Sequence, residues 1–352
     1  MWKTIFEKHK TLIFSTVGFI IFFSYILAIN PFKVFTEIRK VDYALYALAV
    51  FVDLLGVIFF GLAWHILLRG IGVEIKVKES VGATLFSLFT VALIPIPMGS
   101  ELIRIAYAKE KKNSNSGKAL TTVLVHRIMY NLAFMLMITF AIFMVKVAYG
   151  YSLPVESRII LSLMGFAGGC IVAFMVALNA KLLRKLYKKY QNRIENYIKR
   201  YILKYASNLD INNFENVFDE IEETMTKLGK NKFRVALAFV MISFHWSTGA
   251  LTTYIVAKAL DYPLSFWLLV AIYAVIEFIQ ELNIVIPGSI GIIEPSLTMV
   301  LMAVGVPLHI SAAITILTRL ATYWIEKLFC GLVSIYYGFT RAGLIGFRGM
   351  ES

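Results

Sequence analysis

Two glutamate–arginine pairs recur with nearly the same spacing in an otherwise apolar chain. Glu101 precedes Arg127 by 26 residues, and Glu294 precedes Arg319 by 25 residues. Each arginine lies inside a long apolar stretch, where a charge is costly and needs a partner or a task. Arg104 follows Glu101 by three residues, so the two can also pair on one helical face. The chemistry is either a path of arginines and carboxylates for a lipid phosphate, or structural pairs that lock neighbouring segments together.

A helix-breaking turn precedes each glutamate of these pairs. Pro97 and Gly99 break the first segment, and Pro287, Gly288 and Gly291 break the second. Half-helix N-termini beside such turns carry positive potential, which favours a phosphate or a carboxylate. We therefore predict an internal repeat with a broken hairpin in each half and a site between the two hairpins.

Other ionisable residues lie within apolar segments. Glu277 and Glu281 are one helical turn apart before the second break, so mutual repulsion of their carboxylates makes them a candidate proton site. Solvation of a helix end facing a cavity is the simpler explanation. Asp53 and Lys327 have no partner that the sequence reveals, and we expect interior polar contacts for both.

The elements that must position these residues are membrane helices. The 352 residues are 59% hydrophobic and 16% charged, which is more apolar and less charged than a typical soluble domain. Several apolar runs exceed the roughly 18 residues needed to cross a bilayer. Two cysteines and five scattered histidines suggest no disulfide framework and no metal site. No cofactor motif or catalytic constellation occurs, so we expect no cofactor and no enzymatic activity.

The predicted fold is an all-α polytopic membrane protein with about six full spans and two broken re-entrant hairpins. The spans are predicted at 11–29, 43–68, 119–148, 157–179, 233–256 and 308–339, and the hairpins at 81–103 and 266–305. With the N-terminus in the cytoplasm, 26 Lys and Arg residues fall on the inner side and 6 on the outer side. This bias follows the positive-inside rule and places the protein in the cell membrane with both termini cytoplasmic.

The same orientation predicts an inverted repeat. The loops on both sides of 81–103 are basic and therefore cytoplasmic, so this segment enters and leaves on one side. By the same reasoning 266–305 starts and ends outside. We predict one membrane domain over 1–340, with halves 43–148 and 233–339 and a cytoplasmic tail at 341–352. Two ordinary kinked helices are the alternative to the hairpins.

Residues 180–232 form the one sizeable polar segment. Its first part, 181–204, carries nine Lys and Arg residues and one Glu, with tyrosines at helical spacing. We expect two amphipathic helices that pack together and lie on the inner membrane surface, or a surface that recognises anionic lipid. Nucleic acid is not an expected partner, because the segment adjoins membrane spans and lacks a reading motif.

The two turn motifs resemble those of a known family, the flippase-like membrane domain of lysylphosphatidylglycerol synthases and of stand-alone bacterial and archaeal membrane proteins. Its first motif, Pro…Gly-Glu…Arg, is similar to Pro97, Gly99, Glu101 and Arg104, and its second, Pro-Gly-Gly-x-Gly-x-x-Glu, to Pro287, Gly288, Gly291 and Glu294. An arginine before an aromatic cluster in the last span is similar to Arg319 with Tyr323 and Trp324. The resemblance covers roughly residues 10–340.

This chain departs from the family pattern at three places. Ser289 replaces a usual glycine, Ser100 separates Gly99 from Glu101, and His126-Arg127-Ile128-Met129-Tyr130 stands where the family often has Glu-Arg-x-x-Asp. No aminoacyl-transfer domain follows residue 340, so the resemblance implies the lipid-moving half of the synthase and not the synthesis of lysyl-lipid.

The expected function is translocation of a lipid with an anionic or isoprenoid-linked headgroup. The main alternative is a non-transporting module that recruits or seats a glycosyltransferase or another lipid-modifying enzyme, because the basic, tyrosine-bearing segment 181–205 could form a docking surface. An intramembrane enzyme acting on a lipid-linked phosphate is a third hypothesis, which no residue constellation favours. The expected partners are therefore membrane lipids and a membrane-associated enzyme.

Overall fold

The protein is described by a computed structural model over residues 2–93, 98–149, 214–282 and 286–336, with single positions between 185 and 193. Secondary structure in this described part is helical throughout. The helices are α1 (Trp2–Ala28), α2 (Pro31–Ile38), α3 (Tyr43–Gly70), α4 (Val77–Leu93), α5 (Gly99–Lys109), α6 (Ser116–Tyr149), α7 (Phe214–Lys230), α8 (Lys232–Ala259), α9 (Phe266–Leu282), α10 (Ile293–Ala303), α11 (Leu308–Arg319) and α12 (Glu326–Tyr336). A 3₁₀ turn at Pro287–Ser289 precedes α10, and a π-helical segment at Leu320–Ile325 joins α11 to α12.

Four helical stretches are long and apolar enough to cross a membrane, which makes this an integral multi-pass membrane protein. They are α3, α6, α8 and the continuous stretch Leu308–Tyr336. A fifth candidate is the pair α1 and α2, which bends by 81° at Asn30-Pro31. The span predicted at 157–179 and the tail at 341–352 lie outside the described residues.

Helices α3 and α8 run antiparallel through the centre of the molecule. Thr252 donates to the carbonyl of Ala49 at 3.3 Å, and near the other end of the pair Asn231 donates to the carbonyl of Gly70 at 2.7 Å. Between these contacts, a Cβ on Gly56 would lie 2.1 Å from Oγ1 of Thr248. Small residues allow membrane helices to approach closely, and Gly56 allows this close approach of α3 and α8.

Both segments predicted as broken hairpins consist of two helices with a break between them, and these two helix pairs are called the first and the second hairpin below. The first divides into α4 and α5 after Leu93, although Pro97 itself lies outside the described residues. The second divides into α9 and α10 around the turn at Pro287–Ser289. The ends of the first hairpin meet, because the N–H of Glu74 before α4 donates to the carbonyl of Lys112 after α5 at 3.1 Å.

The arms of the two hairpins pack in a reciprocal way. The first arm of the first hairpin, α4, contacts α12, while the first arm of the second hairpin, α9, contacts α6. The second arms, α5 and α10, contact α6 and α11 respectively. Each hairpin therefore packs one arm against the closing helix of its own half and the other arm against the closing helix of the other half.

Helix α1 covers the second turn. The hydroxyl of Tyr25 on α1 lies 2.8 Å from the hydroxyl of Thr298 on α10, in the interior. A Cβ added to Gly291 would lie 2.1 Å from the carbonyl oxygen of Gly18 on α1. The first helix, which includes nearly all of the apolar span predicted at 11–29, is thus packed against the rest of the membrane domain.

Helix α7, the second part of the predicted polar segment, packs against the ends of α3, α6 and α8. Its Ile221 and Leu228 are buried, and Glu220 accepts a hydrogen bond from the N–H of Gly117 at the start of α6 at 2.7 Å. Carboxylates are favourable at a helix N-terminus, so Glu220 fixes the register of this contact. Apart from the single positions named above, residues 180–213 lie outside the described part.

Candidate functional site

The first turn places Glu101 in the opening turn of a short helix. Met98 has a left-handed backbone (φ 57°), which is uncommon for a residue other than glycine, and α5 begins at Gly99. The hydroxyls of Ser100 and of Ser87 on α4 lie 2.9 Å apart and join the two arms. The N-terminus of α5 stabilises the negative charge of Glu101.

One carboxylate in this turn faces two guanidinium groups. Oε1 of Glu101 lies 3.9 Å from Nη2 of Arg104 and 3.6 Å from Nη1 of Arg127. Both pairings predicted from the spacing therefore occur at the same carboxylate. The carboxylate of Glu101 therefore brings the two guanidinium groups together at this end of the site.

The side chain of Arg104 is buried, with 1% of it exposed. Its guanidinium lies over the rings of Phe60 (5.3 Å) and Trp64 (5.6 Å) and contacts Nδ1 of His126 at 3.2 Å. Nε2 of His126 lies 3.0 Å from the carbonyl oxygen of Phe60. An arginine can only donate and a carbonyl can only accept, so His126 is neutral, with its proton on Nε2. These contacts make Arg104 a structural cation.

The second turn depends on two glycines with positive φ. A Cβ on Gly288 (φ 59°) would lie 2.0 Å from the hydroxyl oxygen of Tyr323. A Cβ on Gly291 (φ 81°) would lie 2.1 Å from the carbonyl oxygen of Gly18. Ser289 stands where the family pattern has a glycine, and it adopts φ 51°, a backbone that favours glycine. The turn thus keeps its left-handed form despite that departure.

The second glutamate–arginine pair is tight and buried. Nε of Arg319 donates to Oε1 of Glu294 at 2.8 Å, and its Nη2 donates to the carbonyl of Gly288 at 2.8 Å. The other carboxylate oxygen of Glu294 accepts from the N–H of Gly291 at 2.8 Å, and the ring of Tyr323 lies 4.6 Å from the guanidinium. Arg319 and Glu294 therefore hold the second turn against the last helix.

A cavity of about 660 Å³ lies between the two hairpins. Residues of both turns and of α3, α6, α8, α9 and α12 line it. Its charged lining residues are Asp53, Glu101, Arg104, Arg127, Glu277, Arg319, Glu326 and Lys327. Glu294 does not line the cavity, although it forms an ion pair with Arg319, which does. Of the predicted site residues, Glu101, Arg104, Arg127 and Arg319 therefore line one cavity, and their role as a site remains a prediction.

The three arginines that line the cavity differ in how much of each side chain is exposed. The exposed fraction of the side chain is 40% for Arg127, compared with 1% for Arg104 and 8% for Arg319. The guanidinium of Arg127 also lies 5.4 Å from the ring of Tyr130, another residue of the cavity wall. Arg127 is therefore the arginine best placed to meet a ligand.

The candidate proton pair is described only in part. Glu277 lines the cavity and interacts with Tyr273, one turn earlier on α9. Glu281 lies in the last turn of α9, and its side chain is outside the described part. The idea that the two carboxylates act as a pair remains a prediction.

Sequence reasoning did not connect three charged residues that meet in the cavity wall. Lys327 forms an ion pair with Glu326 at the start of α12, and both interact electrostatically with the buried Asp53 of α3. Ionisable residues inside spans are the available sequence signal. Glu326 and Lys327 directly follow the π-helical segment, and π-helical segments are frequent at functional sites. Among the described residues, no group of three or more His, Cys, Asp or Glu side chains could hold a metal ion.

Comparison with known proteins identifies the family. The family model described as lysylphosphatidylglycerol synthase TM region matches residues 11–329. The UPF0104 membrane protein PH1989 of Pyrococcus horikoshii is 23% identical over 302 residues, which are 84% of this chain and 87% of that protein. A UPF0104 membrane protein of Methanothermobacter thermautotrophicus is 22% identical over 319 residues, 90% of this chain and 92% of that protein. The chain belongs to the family of the lysylphosphatidylglycerol synthase TM region.

Proposed function

We propose that this protein translocates a lipid with an anionic or isoprenoid-linked headgroup between the leaflets of the cell membrane. The observation that carries the proposal is the exposed guanidinium of Arg127 on the wall of a cavity between two broken hairpins. Broken helices that meet near the middle of the membrane are a recurrent plan of transporters. Irregular backbone at that depth requires cover by protein or by a water-filled space, and the cavity provides the space.

The cavity has the size and charge for a phosphate-bearing headgroup. Its volume of about 660 Å³ falls within the range of small-molecule sites. An incoming phosphate would meet the partly exposed side chain of Arg127, which lies beside Glu101 on the cavity wall. A guanidinium matches phosphate geometry with two parallel donors, and Arg127 has the exposure to supply them.

The two halves form an inverted repeat in this proposal, with about six full spans and two re-entrant hairpins. The antiparallel contact of α3 with α8 supports it, because these helices open the two halves. The exchanged packing of α4 on α12 and of α9 on α6 also supports it. Inverted halves can rock about a common site and expose it to each side in turn. With the basic loops inside, both termini are cytoplasmic.

The recruiting module remains the alternative function, and it would involve the segment 181–205, most of which lies outside the described part. It does not require an exposed arginine in a cavity, whereas transport does. We propose that the protein has no enzymatic activity of its own, and that the alternative would act through a membrane-associated enzyme partner.

Reconstituted liposomes with a fluorescent anionic phospholipid test the proposal. An impermeant reductant bleaches the outer leaflet, and transport appears as loss of fluorescence beyond that half. We expect rapid further loss with the native protein, none with Arg127→Ala, and native behaviour with Lys112→Ala, a surface cation with 75% of its side chain exposed. If no anionic or isoprenoid-linked lipid is transported, translocation is wrong and the recruiting module is favoured.

A further inference from the structure

A second group of charges lies in the cavity wall and does not belong to either glutamate–arginine pair. Asp53 on α3 is 6% exposed, and its Oδ2 accepts no hydrogen bond from the residues that the structure describes. Asp53 interacts electrostatically with Glu326 and Lys327 at the start of α12, and these two form an ion pair. All three residues line the cavity.

The surroundings of Asp53 contain few other ionisable groups. Helix α8 contributes His245 to the cavity wall, α9 contributes Tyr273 and Glu277, and α12 also places Cys330 within electrostatic reach of Asp53. From α4, which packs against α3, the described lining residues are apolar. Helix α6, which also packs against α3, contributes Arg127 and Tyr130 to the same cavity wall, and Lys327 is paired with Glu326.

The charges of this group balance only with an added proton. With both carboxyl groups ionised, Asp53, Glu326 and Lys327 together carry a net charge of minus one, and Asp53 is only 6% exposed. An uncompensated buried charge is costly, and one proton on either carboxyl group removes it.

We propose that Asp53, Glu326 and Lys327 form a proton-binding site that is coupled to the anionic headgroup in the same cavity. The coupling rests on the proposed function, whereas the proton site itself does not. A headgroup phosphate adds negative charge to the cavity, and its repulsion of the ionised cluster is relieved when one carboxylate takes up a proton from solution. Because coupling between two sites is reciprocal, protonation also strengthens binding of the phosphate.

Infrared spectroscopy of the purified, lipid-free protein tests the proton site alone. During stepwise acidification we expect the carbonyl band of a protonated carboxyl group to grow, with this component lost in Asp53→Asn. Glu326→Gln also neutralises the cluster and is the second variant if Asp53→Asn does not fold. Glu74→Gln, which removes an exposed carboxylate paired with Lys112, is the control that keeps the component.

Calorimetry tests the coupling, with a water-soluble short-chain phosphatidylglycerol as the probe. Titrations in two buffers of different ionisation enthalpy give the number of protons taken up per lipid bound. We expect the native protein to take up a proton and to bind up to about tenfold more tightly for each unit by which the pH falls. Asp53→Asn should bind without proton uptake and with an affinity that no longer depends on pH.

The outcomes separate the two proposals. An infrared component that survives in both Asp53→Asn and Glu326→Gln overturns the proton site. Loss of the infrared component in Glu277→Gln, together with its survival in Asp53→Asn, would assign the proton to Glu277 on α9. That result would also overturn the proposed proton site. Proton uptake in the native protein that remains in Asp53→Asn overturns the coupling. If the infrared component behaves as expected but neither the short-chain phosphatidylglycerol nor a short-chain isoprenoid phosphate binds at any pH, the headgroup function and the coupling fail while the proton site stands.

Discussion

Arg127 and Glu101 approach within 3.6 Å, yet 40% of the Arg127 side chain remains exposed to the cavity. Their counterparts in the second half, Arg319 and Glu294, form a shorter contact of 2.8 Å, with 8% and 2% of the side chains exposed. The same spacing in the sequence thus gives an open pair and a closed pair. We propose the open pair for ligand binding and the closed pair for structural support, so that each hypothesis about the repeated pattern would apply to one half.

Substitution of the two arginines should separate these roles. Arg319→Gln leaves Glu294 buried without its cation, and breaking a buried pair in this way costs about 3–5 kcal/mol. Arg127→Gln removes a half-exposed group and should leave folding nearly unchanged. We expect a lower unfolding temperature in detergent for Arg319→Gln, and loss of lipid transport at a native unfolding temperature for Arg127→Gln. Equal effects of the two substitutions on stability would contradict the distinction.

The second turn should not tolerate a side chain at Gly288. The added Cβ of Gly288→Ala would overlap the ring of Tyr323, in addition to the cost of a left-handed backbone. Gly305→Ala is the matched control, because Gly305 also has positive φ (93°) but no heavy atom within 4 Å of the added Cβ. We expect Gly305→Ala to cost only the backbone strain, about 1–2 kcal/mol, and Gly288→Ala to lower the unfolding temperature clearly further. Similar losses would show that the contact with Tyr323 is unimportant.

Helix α7 should detach when its contact with α6 is blocked. A Cβ on Gly117 would lie 2.3 Å from the Cβ of Glu220, so Gly117→Ala pushes α7 away from the start of α6. We expect faster hydrogen–deuterium exchange over 214–230, with α3 and α8 unchanged. Glu223→Gln, which removes only the exposed pair with Lys227, is the control and should exchange like the native protein. Uniform exchange changes across the protein would instead indicate general destabilisation.

Labelling of single cysteines should place both ends of each hairpin on one side of the membrane. In a background without Cys170 and Cys330, Lys78→Cys and Lys112→Cys flank the first hairpin, and Pro263→Cys and Val304→Cys flank the second. The contact between Glu74 and Lys112 holds the first two positions at the same end of the molecule.

With an impermeant maleimide, we therefore expect the positions flanking the first hairpin to label from the cytoplasmic side and those flanking the second hairpin from the opposite side. Labelling of Lys78→Cys and Lys112→Cys from opposite sides would mean that the first segment crosses the membrane fully and that the inverted repeat is wrong. The buried Ser87→Cys position, which should resist labelling in folded protein, controls for denatured material.

The sequence by itself determined the membrane character of the chain, the position of its helix breaks and the partners of its repeated arginines. These features are local or periodic, because long apolar runs specify spans, while proline and glycine end helices wherever they occur. The spacing between Glu101 and Arg127 also needs only one turn and one following helix to bring the two together. The family assignment from the two turn motifs is confirmed on the same local basis.

Only the tertiary structure decided what each charge does. The periodicity of a single helix cannot reveal that Arg319 is closed in by the second turn while Arg127 opens to a cavity. It also cannot reveal that Asp53 of α3 lines the same cavity as Glu326 and Lys327 of α12, because that depends on how helices from opposite ends of the chain pack. Burial and charge balance arise from side chains contributed by several helices, so they are properties of the packed bundle and not of any one segment.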